Sequence, residues 1–274
     1  MGGELATVAV SGICKSFSRP DGSIRTILRG VSLELEGSRF TSLIGPNGCG
    51  KSTLLGVIAG IVPADSGTVR FANLKNNQPR VGYVWQDYRA SLLPWLTAAE
   101  NVAFPLKLHG ASKEERAAAS ADMMREFMPG VDPHKPCYQL SGGQQQMLCL
   151  LRGAVAHPDL LLFDEPFSAL DQNRRWSMTT YVERIWQATN APALFVSHDV
   201  DEAVLLADDI VLMSAEGRVE DVIANPLPRP RQQKLLTDGQ HVKCRDAVIA
   251  FLLAQESVSD GNGQETFLHG VLTL

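Results

Sequence analysis

The segment "GPNGCGKST", residues 45–53, carries the most specific chemical pattern in the chain. Gly45, Gly50, Lys51 and Ser52 occupy the fixed positions of the G-x-x-x-x-G-K-[ST] spacing, and Thr53 follows. Such a loop curls backbone N–H groups around phosphate oxygens, and the helix after it adds partial positive charge. We therefore predict a nucleoside triphosphate site with Lys51 at the β- and γ-phosphates and Ser52 on Mg²⁺. The other loop members are Pro46, Asn47, Gly48 and Cys49.

The flanks of this phosphate loop (residues 45–53) match the context that the motif requires. The apolar "FTSLI" before it is typical of a buried strand, and "STLLGVIAG" after it places Leu54, Leu55 and Ile58 on one helical face. The alternative is a glycine-rich turn that closes an ordinary strand–helix unit. Strand, glycine turn and helix together favour the nucleotide site.

A second chemical segment is "LLLFDEP", residues 160–166. Its apolar run predicts a buried strand that ends at Asp164, at the edge where ligands bind in open parallel sheets. Asp164 can hold the Mg²⁺ that Ser52 also contacts, and Glu165 can accept a proton from an attacking water. The alternative is a solvated acidic turn after a core strand, which the phosphate loop makes the weaker interpretation.

Composition narrows the class of protein. The 274 residues are 45% hydrophobic, enough for a substantial core, and the net charge of −5 with a pI of about 5.7 disfavours nucleic acid as a partner. Five scattered cysteines without a C-x-x-C pair predict free thiols in a reducing compartment. The N-terminus has no signal-peptide pattern, and no apolar run approaches 20 residues. We expect a cytoplasmic chain that reaches a membrane only by docking onto another protein.

The elements needed to position these residues alternate along the chain. Strand patterns occur at "ATVAV", "VSLEL", "FTSLI", "TVRFA", "VGYVWQ", "LLLFD" and "ALFVS", and "DIVLMS" with "RVEDVIA" predicts a terminal hairpin. Residues 98–157 have helical patterns, with Ser112 and Glu115 as a capping box. A further helix follows "LLLFD", and helical spacing returns at Val248 and Phe251. The pattern predicts an α/β fold with a parallel sheet and a helical insertion.

The segment "LSGGQQQ", residues 140–146, carries the family resemblance. Its two glycines before a helix start form another cluster of N–H groups that can meet phosphate, although "SGG" alone is often only a helix cap. Ser141, Gly142, Gly143 and Gln144 resemble the signature of ATP-binding cassette (ABC) transporter ATPases. In that family the signature of one subunit closes over ATP held by the phosphate loop of another. The resemblance covers residues 8–225.

The resemblance extends to four further positions. Gln86 in "VWQD" is similar to the Q-loop glutamine, which contacts Mg²⁺ or the attacking water, and Asp171 in "SALD" to the D-loop aspartate at the dimer interface. His198 in "VSHD" resembles the histidine at the γ-phosphate, and Phe17 in "KSF" the aromatic that stacks on adenine. A lone histidine or phenylalanine is more often structural, so these roles depend on the resemblance.

The resemblance implies a P-loop NTPase core with a parallel sheet, an N-terminal antiparallel β subdomain and a helical signature subdomain. It implies residues 1–225 as the ATPase domain, with about 90–157 inserted, and 226–274 as an extension with a proline-rich connector, a short helix and a flexible tail. ATP and Mg²⁺ would be the ligands. The partners would be a second ATPase subunit, identical or similar, an integral membrane permease and indirectly a solute-binding protein, at the cytoplasmic face of the cell membrane.

The solute group rests on two segments. "SLLPWLTAAENVAF", residues 91–104, resembles importers of nitrate, sulfonate and taurine, and so does the basic-proline stretch "PLPRPR", residues 226–231. The alternative for "PLPRPR" is a solvated proline-rich connector and nothing more. Gln144 departs from this group, which usually has methionine there.

Three other functions are weighed against an importer ATPase. One is a soluble cassette ATPase of translation, DNA repair or metal-cluster assembly. The proteins of translation and repair usually pair two cassettes or carry long coiled-coil insertions, and this chain shows one cassette and no sustained heptads. A P-loop kinase would have no use for "LSGGQ". An exporter commonly fuses membrane segments to the same chain, which has none.

Overall fold

Nine strands form two sheets in the computed structural model, which describes residues 5–74, 78–168 and 172–260. They are β1 (Thr7–Ser18), β2 (Ile24–Glu36), β3 (Phe40–Ile44), β4 (Ser66–Ala72), β5 (Val81–Val84), β6 (Leu160–Asp164), β7 (Ala193–Val196), β8 (Asp209–Met213) and β9 (Val219–Ala224). An antiparallel sheet has the order β2-β1-β4, and the larger sheet has the order β5-β6-β7-β3-β8-β9.

The larger sheet brings the predicted site residues to one edge. Strands β5, β6, β7, β3 and β8 are parallel, and β9 returns antiparallel to β8 as the predicted hairpin. Strands β3, β6 and β7 are buried at every position, as expected for parallel strands covered on both faces. Their carboxyl ends therefore deliver the phosphate loop, Asp164 and the segment before His198 to the same edge.

Helices surround this sheet and fill the insertion between β5 and β6. They are α1 (Lys51–Ile58), α2 (Tyr88–Ser91), α3 (Ala98–Leu108), α4 (Lys113–Phe127), α5 (Gly142–Ala154), α6 (Gln172–Thr189), α7 (Val200–Leu206) and α8 (Gly239–Asp260). The predicted capping box is confirmed at α4, where Ser112 N donates to Glu115 Oε2 at 2.7 Å. In the described part of the chain, no helix has both the length and the apolar character needed to cross a bilayer.

Two large apolar clusters hold the scaffold. One joins the antiparallel sheet to α1 and the larger sheet, with Leu54 and Leu55 fully buried. The other joins the inserted helices to the opposite face of the larger sheet, where the Phe40 ring centroid lies 5.4 Å from that of Trp186 and 6.0 Å from that of Phe163. The phosphate loop therefore starts and ends on elements that are fixed by packing on both sides.

The segment "PLPRPR" before α8 packs on the domain and forms ion pairs. The interpretation of this segment as a solvated connector is therefore wrong. Arg231 is only 2% exposed, and its Nη2 donates to Asp208 Oδ1 at 2.7 Å. Arg229 pairs with Asp208 and Glu183 at 2.9 and 2.8 Å. Two arginines in a proline-rich stretch look solvated in sequence, but their acidic partners, Glu183 and Asp208, lie on remote segments.

The C-terminal helix is longer than the short helix that we expected. Helix α8 has 22 residues and reaches Asp260, so residues 257–260, which the polar sequence "SVSDGNGQE" assigned to the flexible tail, are helical. It packs on α7 through Cys244 and Val248, which lie in one buried cluster with Val204. The terminal "TFLHGVLTL" lies outside the described residues.

Candidate functional site

The phosphate loop lies between β3 and α1, as its flanks predicted. Gly50 precedes α1 with φ 109°, a left-handed conformation that residues with a side chain rarely adopt. A Cβ at Gly50 would lie 2.7 Å from Ile27 Cγ2, so a side chain there would displace the loop. No side chain caps α1. Its first N–H groups are therefore available to an anion, and the helix dipole favours negative charge at that point.

The loop presents mainly backbone groups. Gly45 passes so close to β8 that a Cβ would lie 2.3 Å from Met213 O. Cys49 is buried, and burial raises the pKa of its thiol, so little thiolate forms. Cys49 N donates to Pro46 O at 3.4 Å, which closes the turn. The remaining predicted loop members are the exposed Asn47 and Gly48 and the half-buried Thr53.

The Lys51 ammonium lies at the centre of the loop. Its Nζ donates to Gly45 O at 2.8 Å and to Pro46 O at 3.0 Å, and the residue is 5% exposed. These two carbonyls satisfy two of the three donors of the buried ammonium. The side chain therefore lies against the backbone of the loop, and its contact with phosphate stays a prediction.

Ser52 and Asp164 meet across 112 residues of sequence. Ser52 Oγ donates to Asp164 Oδ1 at 2.9 Å, and Asp164 is 5% exposed. Hydroxyl and carboxylate oxygens are hard ligands of the kind that Mg²⁺ takes together with substrate phosphates. Ser52 and Asp164, next to the phosphate loop, are therefore suitable ligands for the predicted Mg²⁺.

Glu165 follows Asp164 at the same edge of the larger sheet. Its backbone has φ 47°, an unusual value for a residue with a side chain, and such backbone is enriched at functional sites. Gln86 Nε2 donates to Glu165 Oε2 at 2.9 Å, and His198 Nε2 lies 2.5 Å from Glu165 Oε1. The structure thus brings together Glu165, Gln86 and His198, which the sequence placed on three separate segments.

Buried polar groups hold the turn that carries His198. Ser197 Oγ donates to Glu202 Oε2 at 2.8 Å and accepts from Asp199 N at 3.0 Å. Burial, and then the charge of Asp199, raises the pKa of Glu202 to about 7. Arg175 Nη1 lies 3.4 Å from Asp199 Oδ2. His198 itself is exposed over half of its side chain, so it faces the solvent side of the site.

The signature residues start α5, with Ser141 exposed and Gly142, Gly143 and Gln144 half-buried. Ser141 caps the helix, and Ser141 N donates to Gln144 Oε1 at 3.0 Å. Gly142 packs close to Tyr88, whereas a Cβ at Gly143 would meet nothing within 4 Å. Within the described residues, no hydrogen bond joins 141–144 to the phosphate loop. The signature residues of one chain, all of which the structure describes, therefore do not hydrogen-bond to the phosphate loop of the same chain.

Phe17 lies on β1 with its ring 43% exposed and Lys15 Nζ 5.2 Å from the ring centroid. It pairs across the strands with Arg25, whose Nη2 is 3.8 Å from the position of a Cβ on Gly48. Arg25 thus reaches from the strand pair that carries Phe17 to the phosphate loop, and the exposed part of the Phe17 side chain could stack on a planar ligand. Asp171 lies outside the described residues.

Two site residues were not singled out from the sequence. Tyr83 OH donates to Asp164 Oδ2 at 3.2 Å. Gln146, which is 1% exposed, donates to Pro166 O and joins α5 to the turn after Glu165. Neither contact has a signal in the sequence, because the partner of Tyr83 lies 81 residues away and that of Gln146 lies 20 residues away.

The fold and the phosphate loop define a P-loop NTPase of the α/β class. The ABC transporter family model matches residues 28–168.

Two relatives are aligned over most of both chains. The Aliphatic sulfonates import ATP-binding protein SsuB of Bacillus cereus is 35% identical over 230 residues, 83% of this chain and 89% of SsuB. The Taurine import ATP-binding protein TauB of Escherichia coli O157:H7 is 35% identical over 241 residues, 84% of this chain and 93% of TauB. The chain belongs to the ABC transporter family.

The chain is also similar to a longer relative and to a solved structure. The Bicarbonate transport ATP-binding protein CmpC of Synechococcus elongatus is 37% identical over 265 residues, which is 94% of this chain. The chain spans only 40% of the length of CmpC. The dimeric structure of MJ0796, a bacterial ABC transporter cassette, matches with a TM-score of 0.67 and 27% identity over 79% of this chain and 98% of that one. The same cassette was also solved as a dimer bound to ADP and Pi.

Proposed function

We propose that the chain is the ATP-hydrolysing subunit of an ABC importer. One observation carries the proposal: Glu165 is held between Gln86 and His198, directly after the Asp164 that Ser52 contacts. In the proposal, Glu165 would be a carboxylate base beside a pair of residues, Ser52 and Asp164, that would bind the metal next to the phosphate loop. Residues 1–225 would form the ATPase unit, with about 90–157 inserted, and 226–274 its extension.

Each group would act on ATP in a distinct way. The amides of residues 45–53 and the Lys51 ammonium would bind the phosphates, Phe17 would stack on adenine, and Ser52, Asp164 and Gln86 would hold Mg²⁺, which supplies charge neutralisation when bound. Glu165 would orient a water and accept its proton as the oxygen bonds to the γ-phosphorus. The bond to the β-phosphate oxygen breaks, so ADP and phosphate leave. His198 would donate a hydrogen bond to the γ-phosphate.

The partly exposed signature supports a head-to-tail dimer in which ATP lies between the phosphate loop of one chain and Ser141–Gln144 of the other. Asp171 would lie at this interface. Gly143 is half-buried with free space around it, so its amide can approach a phosphate from a second chain. The cassette that this chain resembles was solved as a dimer, which supports dimerisation of this chain.

Mixing two inactive variants tests this dimer. Lys51→Ala removes the phosphate-binding ammonium, and Gly143→Asp puts a negative charge on the signature without a clash in its own chain. Each alone should hydrolyse ATP at background rate. Their equimolar mixture should regain roughly a quarter of the wild-type rate, because random pairing makes half of the dimers mixed and each mixed dimer has one intact site.

Phosphate release is the measurement, and Gly143→Ala, which adds no charge, is the matched control and should keep most activity. If the signature acted within its own chain, neither chain of the mixture would hold an intact site. No recovery on mixing would then overturn the dimer.

The importer assignment draws on the relatives, whose names describe import or transport of sulfonates, taurine and bicarbonate. We propose a small solute of the nitrate, sulfonate or taurine class, taken up through a separate permease with its solute-binding protein. The chain would bind at the cytoplasmic face of the cell membrane.

A groove between β5 and the end of α3 is the surface that we assign to the permease. It has a volume of about 440 Å³ and borders Gln86 through Trp85. Its lining combines exposed apolar residues, Leu108 at 71% and Trp85 at 40%, with Arg80 and Arg152. An apolar and acidic permease segment complements that surface.

Copurification tests the importer assignment. The tagged chain, pulled down from detergent-solubilised membranes of its native cell, should recover a polytopic permease identified by mass spectrometry. Leu108→Asp is the matched control, since it alters an exposed groove residue and should lose the permease but keep ATP binding. Recovery of soluble partners only, with the chain absent from membranes, would instead favour a soluble cassette ATPase.

A further inference from the structure

Tyr83 contacts the carboxylate that the proposed mechanism places on the metal. It lies on the edge strand β5, beside β6, and its OH donates to Asp164 Oδ2 at 3.2 Å. Ser52 Oγ donates to the other oxygen, Oδ1, at 2.9 Å. Two donors from different elements therefore fix the rotation of one carboxylate, so that a single oxygen faces the phosphate loop.

Tyr83 is the donor in this hydrogen bond. The residue is half-buried, and a tyrosine hydroxyl carries a proton that it can donate to a carboxylate oxygen. Since Asp164 is nearly fully buried, this bond is worth more than an exposed one.

The Tyr83 ring also contacts Trp85, and both residues line the groove that we assign to the permease. The ring of Trp85 stacks on it, with centroids 3.9 Å apart and planes inclined by 22°. Both residues line the groove of about 440 Å³, where Trp85 is 40% exposed. A contiguous path of contacts thus runs from Ser52 through Asp164, Tyr83 and Trp85 to a surface outside the nucleotide site.

We propose that Tyr83 is a positioning residue that orients Asp164 for its metal ligand and couples that carboxylate, through Trp85, to the groove. The inference rests on the proposed ATPase function. It adds a residue outside the predicted site and a physical connection between that site and the groove. The connection consists of two packed rings and one hydrogen bond, so a shift of either end displaces the other.

Tyr83→Phe tests the positioning role, since it keeps the ring and deletes only the donor. At fixed ATP, the Mg²⁺ concentration for half-maximal nucleotide binding should rise about tenfold, the effect of losing one hydrogen bond to a charged group. Binding of ATP in EDTA should match the wild type, whereas the unfolding midpoint of the nucleotide-free protein should fall, because Asp164 Oδ2 loses its donor. Tyr181→Phe, on α6 with its ring against Phe127, is the matched control and should leave all three unchanged.

Tryptophan fluorescence tests the coupling. The difference between the wild type and Trp85→Phe isolates the emission of Trp85, which should change when Mg²⁺ and ATP are added. That change should disappear in Tyr83→Phe assayed at saturating Mg²⁺, because the hydrogen bond to Asp164 is gone.

The outcomes separate the inference from the proposed function. If Tyr83→Phe has the Mg²⁺ dependence of Tyr181→Phe, or loses affinity equally in EDTA, the positioning role is overturned. Persistence of the Trp85 signal in Tyr83→Phe overturns the coupling. Failure of the wild type to bind ATP at all would overturn the proposed function instead.

Discussion

Replacement of Glu165 by glutamine is expected to lower the rate of ATP hydrolysis by roughly 10²- to 10⁴-fold, the usual contribution of a general base. The change keeps the shape of the side chain. The amide oxygen can still accept the hydrogen bond from Gln86, which is 2.9 Å long in the wild type. The amide NH₂ can face His198 Nε2, which lies 2.5 Å from Glu165 Oε1 in the wild type. What is lost is the ability to accept a proton from water. ATP binding should therefore stay close to that of the wild type.

Two measurements separate chemistry from binding: single-turnover phosphate release and equilibrium ATP affinity. A dimer that hydrolyses slowly should also accumulate with ATP bound, visible as a doubled mass by light scattering. Glu114→Gln, on the surface of α4, is the matched control and should retain normal turnover. Near-normal turnover in Glu165→Gln would remove Glu165 as the base, and loss of ATP binding would show a structural role.

Replacement of Arg231 by methionine is expected to lower the free energy of unfolding by about 3 kcal/mol, because it leaves buried acceptors without a donor. Arg231 donates to Asp208 Oδ1 at 2.7 Å and to Leu227 O at 3.0 Å, and it is 2% exposed. Burial, followed by the charge of Arg229, lowers the pKa of Arg231 to about 10, so the guanidinium remains charged at neutral pH. Arg229 still pairs with Asp208, which limits the loss.

Urea unfolding followed by circular dichroism gives this free energy, and proteolysis of the native protein shows whether α8 is released first. Arg125→Met removes an exposed pair on α4, with Arg125 75% exposed, and should change stability by less than about 0.5 kcal/mol. Equal stability of the two variants would mean that the segment from 226 to 231 behaves as the solvated connector that its composition suggested.

The sequence could predict those parts of the site in which the chemistry is local. The phosphate loop needs glycine at fixed positions in one turn, and the conformation of Gly50 shows that need directly. Buried strands are continuous apolar runs, so β3, β6 and β7 were predicted at their observed positions. The capping box of α4 spans four residues and was predicted for the same reason.

Tyr83 and Arg231 show what such patterns miss. Tyr83 was counted only as part of a buried strand, because nothing nearby in sequence indicates that its hydroxyl reaches Asp164, 81 residues further on. Arg231 was read as solvated, because its acidic partners come from α6 and from the turn before β8. Burial of a polar group depends on which remote segments surround it, and periodicity does not report that.

The sequence by itself determined the nucleotide chemistry, the family resemblance and the order of the elements, since these follow from residue types at short spacing. Only the tertiary structure decided how the carboxylates are held: Ser52 and Tyr83 on Asp164, and Gln86 and His198 beside Glu165. These contacts join the ends of separate parallel strands, whose order in the sheet is set by packing of the whole core. The orientation of each carboxylate is therefore a property of the fold.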